Sequence, residues 1–396
     1  MDLHILFNIF ILFGVTVFVI ILCNFFKIPH LIGYLLTGIL LSPNTTSVLS
    51  NAHEVEIYAE IGVILLLFTV GLEFSFTNLK KIQRYVLLGG ALQVLLTIFL
   101  TAFLMFCLGR SIPESVFWGF VIALSSTAIV IKTLQDRVKL NTNYGKVVLA
   151  ILLFQDIVIV PLMLFTPILA GEGENPMLEI GLLILKLAGI GVIAWVLARW
   201  IIPRFLYQVM KIQSQEVFLL TTIFIVTGIA LLTSWMGLSL ALGAFIAGII
   251  IAETDYNRLA ISCFLPFRYV FISFFFISMG MLLDYQVFID EFFLVIVWFL
   301  FILVVKIAAG TLATLALKLP AKTALTVGLA LAQIGEFSFL LSKYGMDYKL
   351  ISELNYQIFL SVSILTMALT PFLLNNLEQI APIANKLKRK LWKEAM

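Results

Sequence analysis

Hydrophobic residues fill most of this chain in long runs separated by short polar turns, and the lengths of the runs predict membrane-spanning helices. A helix needs about 20 apolar residues to cross the hydrocarbon core of a bilayer. The alternating pattern of a membrane β-strand is absent, which favours helices throughout. The second run is short, which suggests a partial or tightly packed span. We count thirteen runs, at residues 3–26, 31–42, 57–75, 85–109, 115–134, 145–170, 177–200, 216–235, 237–253, 264–283, 291–317, 321–343 and 353–375.

The composition agrees with this pattern. Hydrophobic residues make up 62% of the 396 residues and charged residues 12%, whereas soluble domains average about 45–50% and about 25%. A soluble enzyme, a nucleic-acid-binding protein and a disordered scaffold are therefore excluded. We predict an all-α polytopic protein whose surroundings are the lipid bilayer.

The basic residues are distributed unequally between the two sides of the predicted spans. Twenty of the 25 Lys and Arg residues lie in loops that follow odd-numbered spans or in the tail after span thirteen, whereas the loops after even-numbered spans hold Arg110, Lys343 and Lys349. Short loops rich in Lys and Arg stay in the cytoplasm. Because the loops after odd-numbered spans are the basic ones, we predict an N-terminus outside the cell and a cytoplasmic C-terminus.

Short motifs recur along the chain at a nearly constant offset of about 210 residues, which indicates an internal repeat. The offset contains seven predicted spans, an odd number, so the second copy is inverted in the membrane. We expect a first repeat at 1–170, a connector helix at 177–211 and an inverted second repeat of six helices at 216–375. Inverted repeats are typical of secondary transporters. The matching segments are 33–39 with 243–249, 68–74 with 276–282, 119–123 with 328–332, and 156–161 with 366–371.

Asp156 is the strongest candidate for a functional site, because it is a carboxylate in the middle of the sixth apolar span. Pro161 has no N–H to bond the carbonyl of Ile157, so that oxygen is free one turn away. Burial favours the protonated carboxyl, so protons and cations could compete for it. The alternative is a structural Asp paired permanently with a buried Lys.

Two further groups of polar residues lie deep in matching spans of the repeat. Ser125, Ser126 and Thr127 place three consecutive hydroxyls in span five, and Gly335 and Glu336 lie at the matching depth of span twelve. Broken helices at such positions present helix dipoles and free carbonyls to an ion. The alternative for the hydroxyls is ordinary packing between helices.

Lys306, in span eleven, is the other buried charge. We expect it to need a carboxylate partner, and the sequence leaves Asp156, Glu73 and Glu336 open. The His residues lie at span ends and the three Cys residues are scattered, so we predict no metal centre built on them, no disulfide and no enzyme activity.

Several of these motifs together resemble the cation:proton antiporter-2 family, and in particular the membrane domain of Kef-type glutathione-gated potassium efflux systems. The resemblance covers nearly the whole chain. It implies a sodium/proton-antiporter-like fold with crossed, broken helices five and twelve, a homodimer in the cell (inner) membrane, and exchange of K⁺ for H⁺ by alternating access. The motifs are LLLFTVGLEF at 65–74, ALSSTAI at 123–129, LFQDI at 153–157, GAFIAG at 243–248 and QIGEFS at 333–338.

The resemblance also implies roles for individual residues. Asp156 carries the ion and the proton in turn, and Gln155 helps to coordinate K⁺ together with the oxygens of Ser125, Ser126 and Thr127. Because Gln155 is neutral, one carboxylate titrates, which is consistent with electroneutral exchange. From the residues themselves, we expect Glu336, Lys306 and Glu73 to be supporting buried charges, and Pro161 and Gly335 to interrupt helices.

Two departures from Kef-type proteins affect the expectations about regulation. Those proteins carry a cytosolic nucleotide-binding domain, whereas here we expect a transport domain at 1–380 and then a basic cytosolic tail at 381–396 that would begin a linker; the chain is either shortened or a naturally short relative. The loop expected at 256–264 also lacks the usual acidic residues. We therefore predict no cofactor in this chain, with nucleotide and glutathione relevant only if a regulatory domain or subunit exists.

Two other functions remain open for the same sequence. The scaffold could exchange Na⁺ rather than K⁺ for protons, or the chain could be a gated potassium channel. A receptor or structural membrane protein would explain neither the repeat nor Asp156.

Overall fold

The computed structural model describes residues 3–26, 28–42, 45, 52–73, 83–136, 139, 142–171, 191–236 and 240–375, with single positions at 181, 185 and 189. Every regular element in these residues is a helix. Eight of the described helices are long and apolar enough to cross a membrane, and four shorter apolar helices accompany them. The prediction of an all-α, multi-pass membrane protein is confirmed.

The described helices follow the apolar runs closely. Two π-helical segments, Tyr85–Gly90 and Leu197–Ile201, lead directly into α4 and α8. The α-helices are α1 Leu3–Phe25, α2 His30–Leu41, α3 Ala52–Glu73, α4 Ala91–Cys107, α5 Ile112–Ala123, α6 Thr127–Asp136, α7 Asn143–Ala170, α8 Ile202–Met210, α9 Gln215–Trp235, α10 Leu240–Ala252, α11 Asn257–Met281, α12 Tyr285–Asp290, α13 Phe292–Ala316, α14 Ala321–Ala330, α15 Glu336–Asp347 and α16 Glu353–Asn375.

The observed helices extend beyond the apolar runs, and the extension is longest at two places. Helical structure continues to Met210, so Arg199 and Arg204 lie on a helix rather than in a loop. Helix α11 starts at Asn257, so most of the loop expected at 256–264 is also helical. Polar residues can continue a helix beyond the apolar stretch, where hydropathy no longer marks its end. The count of thirteen spans stays a prediction, because several of the runs correspond to short or interrupted helices.

The chain forms two compact units, and the first contains residues 1–36, 80–172 and 283–396. Helix α4 packs along α5, and α13 packs along α14. Buried side chains of α7, including Val148, Ile151 and Leu152, meet Val327 and Leu331 from the α14 region in one apolar core. This unit therefore combines helices from both predicted repeats around α7.

The second unit contains residues 37–79 and 173–282, and its centre is the packing of α3 against α10 and α11. Small residues allow the close approach: a Cβ atom on Gly248 would lie 2.3 Å from the carbonyl oxygen of Phe68. The ring of Phe68 packs edge-on against that of Phe264, with centroids 4.9 Å apart. Glycine at such contacts is typical of helix packing in membranes, and Gly248 belongs to the repeated GAFIAG motif.

Two of the predicted spans are interrupted within the first unit. Helix α5 ends at Ala123, Leu124 is extended with φ −84° and ψ 141°, and α6 starts at Thr127. Helix α14 ends at Ala330, and Gly335 is extended with φ −100° and ψ 170° before α15 starts at Glu336. Spans five and twelve are therefore broken, as the resemblance implied.

Candidate functional site

The two helix breaks cross and hydrogen-bond to each other. The N–H of Gly335 donates to the carbonyl of Leu124 at 3.2 Å, and the hydroxyl of Ser125 donates to the carbonyl of Leu331 at 3.0 Å. The amide of Gln333 donates to the carbonyl of Ser126 at 3.4 Å. Because each break supplies partners for backbone groups of the other, neither leaves these groups exposed to an apolar interior.

A glycine is required at the crossing. A Cβ atom on Gly335 would lie 2.6 Å from the carbonyl carbon of Ser125 and 2.9 Å from the nitrogen of Ser126. These are backbone atoms, so no side-chain rotation could relieve the contact. Gly335 thus permits the close approach of the two breaks.

In both repeats, a side chain from a later helix accepts a hydrogen bond from a backbone N–H of the break. The side-chain oxygen of Gln155 on α7 accepts a hydrogen bond from the N–H of Ser125 at 2.7 Å. The hydroxyl of Thr366 on α16 accepts one from the N–H of Ile334 at 3.2 Å. Ser125 and Ile334 are 209 residues apart, which is the offset of the sequence repeat.

Asp156 lies beside the start of α6. The hydroxyl of Thr127 donates to both carboxylate oxygens of Asp156, at 3.0 and 3.1 Å. Asp156 is buried, with 7% of its surface exposed. Thr127 is the first residue of α6, whose N-terminal end carries a partial positive charge that stabilises an anion. The hydroxyl of Ser126 caps the same helix by accepting from the N–H of Ile129 at 3.3 Å.

Lys306 binds the opposite side of the same break. Its Nζ donates to the carbonyls of Ile122 and Leu124, at 2.7 and 2.8 Å, and its side chain is fully buried. These carbonyls end α5, where the helix dipole is negative. The described hydrogen bonds of Lys306 thus go to backbone carbonyls, although the sequence predicted a carboxylate partner. The reason is that a broken helix exposes carbonyls that sequence composition does not reveal.

Three other residues were predicted to belong to the site: Glu336, Pro161 and Glu73. Glu336 is buried at the first position of α15, where the helix dipole again favours a carboxylate. Pro161 does not interrupt its helix, contrary to expectation, because α7 continues through it from Asn143 to Ala170. Because proline has no N–H, the helix loses one backbone hydrogen bond at this position. The apolar surroundings still favour helical hydrogen bonds for the remaining backbone groups. The side chain of Glu73 lies outside the described residues.

Sequence reasoning missed Gln93 and Thr97 on α4. Gln93 accepts a hydrogen bond from the side-chain nitrogen of Gln155 at 2.6 Å and donates to the hydroxyl of Thr97 at 3.0 Å. Both residues of α4 are fully buried. An available signal was a lone Gln in an apolar span, since lipid penalises an unpaired amide.

Asp156 supplies a carboxylate at this break, and Thr127 and Gln155 supply neutral oxygen atoms. Among the described residues, no group of three or more His, Cys, Asp or Glu could hold a metal ion. Asp156, the hydroxyl of Thr127 and the side-chain oxygen of Gln155 are hard donors, which suit a hard cation. A carboxylate of this kind can also bind a proton, and protonation removes the charge that attracts a cation.

Comparison with known sequences identifies a family and several relatives. Residues 12–376 match the family described as "Sodium/hydrogen exchanger, transmembrane". The chain is 32% identical to K(+) efflux antiporter 5 of Arabidopsis thaliana, over 87% of this chain and 61% of that protein. It is 33% identical to the glutathione-regulated potassium-efflux system protein KefC of Escherichia coli, over 96% and 62%. The chain therefore spans about three-fifths of the length of these relatives.

Comparison with solved structures supports the fold. The sodium proton antiporter MjNhaP1 from Methanocaldococcus jannaschii aligns with a TM-score of 0.66 over 97% of this chain and 99% of that one. The sequence identity is 16%, so this similarity concerns the fold. The predicted sodium/proton-antiporter-like architecture is confirmed.

Proposed function

The chain belongs to the transmembrane sodium/hydrogen exchanger family, and on this premise we propose that it is a potassium:proton antiporter. The observation that carries the proposal is the buried carboxylate of Asp156, held by Thr127 at the positive end of α6 beside the crossing of two broken helices. The relatives named as K(+) efflux antiporters favour potassium as the exchanged cation.

The proposed cycle uses Asp156 as the shared site. The ionised carboxylate binds K⁺ together with the oxygens of Thr127 and Gln155, and protonation of the carboxylate releases the ion. The site faces the two sides of the membrane in turn, and only the loaded forms cross. Ser125 and Ser126 are also proposed to bind the cation: their hydroxyls bond to the carbonyl of Leu331 and to the N–H of Ile129, and each hydroxyl oxygen keeps a lone pair that a cation can use.

Exchange by this site is electroneutral. Gln155 next to Asp156 is neutral, so one carboxylate alternates between one K⁺ and one H⁺. Electroneutral exchange carries no net current and does not respond to membrane potential. A potassium channel, in contrast, would pass current when the pH is equal on both sides, which separates the two functions.

Replacement of Asp156 tests the site directly. Asp156→Asn removes the titrating group at nearly constant size, so proteoliposomes should lose K⁺-driven proton movement by at least about 100-fold, while the purified protein still folds. Asp284→Asn is the matched control, because Asp284 caps the short helix α12 by accepting from the N–H of Gln286. Wild-type flux in Asp156→Asn would refute the proposed mechanism.

Sodium:proton exchange is the second candidate, favoured by the fold shared with a sodium proton antiporter. Parallel titrations of proton flux with K⁺, Na⁺, Li⁺ and Rb⁺ separate the two ions. We expect K⁺ to act at the lowest concentration, because a site with one charge and neutral oxygens favours a partly dehydrated large cation. A lower half-maximal concentration for Na⁺ would instead assign sodium.

The remaining features of the proposed antiporter follow from charge distribution and family. We place the N-terminus outside and the C-terminus in the cytoplasm of the cell (inner) membrane, and we propose a homodimer whose transport domain covers 1–380. K⁺ and H⁺ are its partners, with a cytosolic regulatory domain or subunit as a further one. The basic tail at 381–396 lies outside the described residues. We propose no cofactor within this chain.

A further inference from the structure

Two buried glutamines connect the last residue of α5 to the break that follows it. The side-chain nitrogen of Gln93 donates to the carbonyl of Ala123 at 3.3 Å, its oxygen accepts from the nitrogen of Gln155 at 2.6 Å, and the oxygen of Gln155 accepts from the N–H of Ser125 at 2.7 Å. Ala123 is the last residue of α5, and Ser125 lies within the break. Gln93 and Gln155 are at most 1% exposed.

This chain of hydrogen bonds has a fixed direction. The carbonyl of Ala123 can only accept, and the N–H of Ser125 can only donate. Gln93 must therefore turn its nitrogen toward Ala123 and its oxygen toward Gln155. Gln155 in turn must place its nitrogen toward Gln93 and its oxygen toward the break. A flip of either amide would bring two donors or two acceptors together.

We propose that Gln93 is a positioning residue for ion binding, because it keeps the side-chain oxygen of Gln155, and not its NH₂ group, facing the break next to Asp156. This inference rests on the proposed antiport function. The oxygen has a second lone pair beyond the one used by Ser125, which a cation can use. A rotated amide would present two N–H groups to the cation instead.

The same arrangement determines the charge of residue 155. An ionised carboxylate there would satisfy the N–H of Ser125 but would place an acceptor against the oxygen of Gln93. Turning Gln93 to donate would remove the donor from the carbonyl of Ala123, in surroundings where an unpaired carbonyl is costly. Gln93 therefore favours a neutral side chain at position 155 and a single titrating carboxylate, Asp156.

The first experiment measures the K⁺ dependence of exchange in proteoliposomes. Gln93→Met keeps the length of the side chain and removes its three hydrogen bonds, to Ala123, Thr97 and Gln155. The apparent KM for K⁺ should therefore rise about tenfold or more, as for other groups that orient a ligand, with a smaller change in maximal rate. Gln93→Glu should restore a near wild-type KM, because a protonated Glu can accept from Gln155 and donate to Ala123.

Thr101→Val is the matched control. Thr101 lies two turns from Gln93 on the same buried face of α4, and its hydroxyl has no hydrogen-bond partner among the described residues. Its replacement should leave the KM unchanged. An unchanged KM in Gln93→Met, or an equal rise in Gln93→Met and Thr101→Val, would overturn the positioning role.

A double-variant cycle tests the pathway through Gln155. Once Gln155→Met is present, Gln93→Met should raise the KM no further, whereas independent effects would multiply and would contradict the proposal. If Na⁺ is the exchanged ion, the same cycle applies with Na⁺. If the wild type exchanges neither ion, the proposed function is wrong. The melting temperatures of the wild type, the two single variants and the double variant then still test whether the two amides are coupled. Additive losses of melting temperature would refute this coupling.

Discussion

At the scale of single residues, two buried charges lie on opposite sides of one helix break. Asp156 is placed at the start of α6 through Thr127, whereas Lys306 bonds to the carbonyls that end α5. Each charge complements the partial charge of the helix end that it meets. The break can therefore exist in an apolar interior because side chains from other helices bind its exposed backbone groups.

Replacement of Lys306 should destabilise the protein. Lys306→Met fills the same space but leaves the carbonyl of Ile122 without the donor described here, so we expect a loss of about 2 kcal/mol in unfolding free energy. The measurement is thermal or denaturant unfolding in detergent. Lys322→Met, on the exposed surface of α14, should change stability by less than about 0.5 kcal/mol.

The opposite result would also be informative about the energetics. Burial of a lysine has its own desolvation cost, and some buried charges can be replaced by apolar residues with a gain in stability. An equal or higher melting temperature for Lys306→Met would mean that this cost exceeds the value of the two hydrogen bonds, and it would contradict our prediction.

At the scale of elements, the crossing of the breaks depends on the absence of a side chain at position 335. One hydrogen bond between the breaks joins the backbone groups of Gly335 and Leu124. Two more join the side chains of Ser125 and Gln333 to backbone carbonyls of the other break, and all three need the two breaks to lie close together. Sequence analysis selected both broken spans from their polar residues and from the family resemblance. It could not provide the contacts, because these join positions about 210 residues apart.

Gly335→Ala should disrupt this crossing. The added methyl group would lie 2.6 Å from a backbone atom of Ser125, and overpacking of this kind costs about 1–3 kcal/mol or more. We expect a lower melting temperature and an exchange rate reduced by at least about tenfold. Gly228→Ala on α9 is the control, since nothing lies within 4 Å of its added methyl group. Exchange at the wild-type rate in Gly335→Ala would show that the two breaks can move apart without loss of activity, and it would contradict this prediction.

At the scale of the whole molecule, the distribution of charge determines the predicted orientation in the membrane. Twenty of the 25 basic residues lie in the tail or in loops that follow odd-numbered spans, and such an excess marks the cytoplasmic side. The extension of helix to Met210 leaves this argument intact, because the basic residues remain near the end of that span.

Cysteine labelling in cells tests the orientation. In a variant whose Cys23, Cys107 and Cys263 are replaced by Ser, Arg110→Cys should react with a membrane-impermeant maleimide added outside. Lys318→Cys should react only after the membrane is permeabilised. The reverse pattern would overturn the proposed orientation, and equal labelling of both positions in intact cells would contradict the predicted number of spans between them.

The sequence by itself determined the class of protein and most helix positions, and it selected Asp156 as the proposed ion-carrying carboxylate. These properties depend on local information: the length of apolar runs, the positions of basic residues and the rarity of charge within spans. Asp156 was selected in this way because an ionisable residue within an apolar span is costly and rare, which makes it a candidate for a functional role. The broken spans were recognised for the same reason, from polar residues at mid-depth.

The tertiary structure alone decided which groups meet at the site. It showed that Lys306 donates to backbone carbonyls, that Gln93 accepts a hydrogen bond from Gln155, and that α7 continues through Pro161. Hydrogen-bond partners depend on the orientation and close approach of helices that are distant in sequence, and hydropathy contains no information about either. The sequence thus specified where charge is buried, and the packing of the helices specified how each buried charge is stabilised.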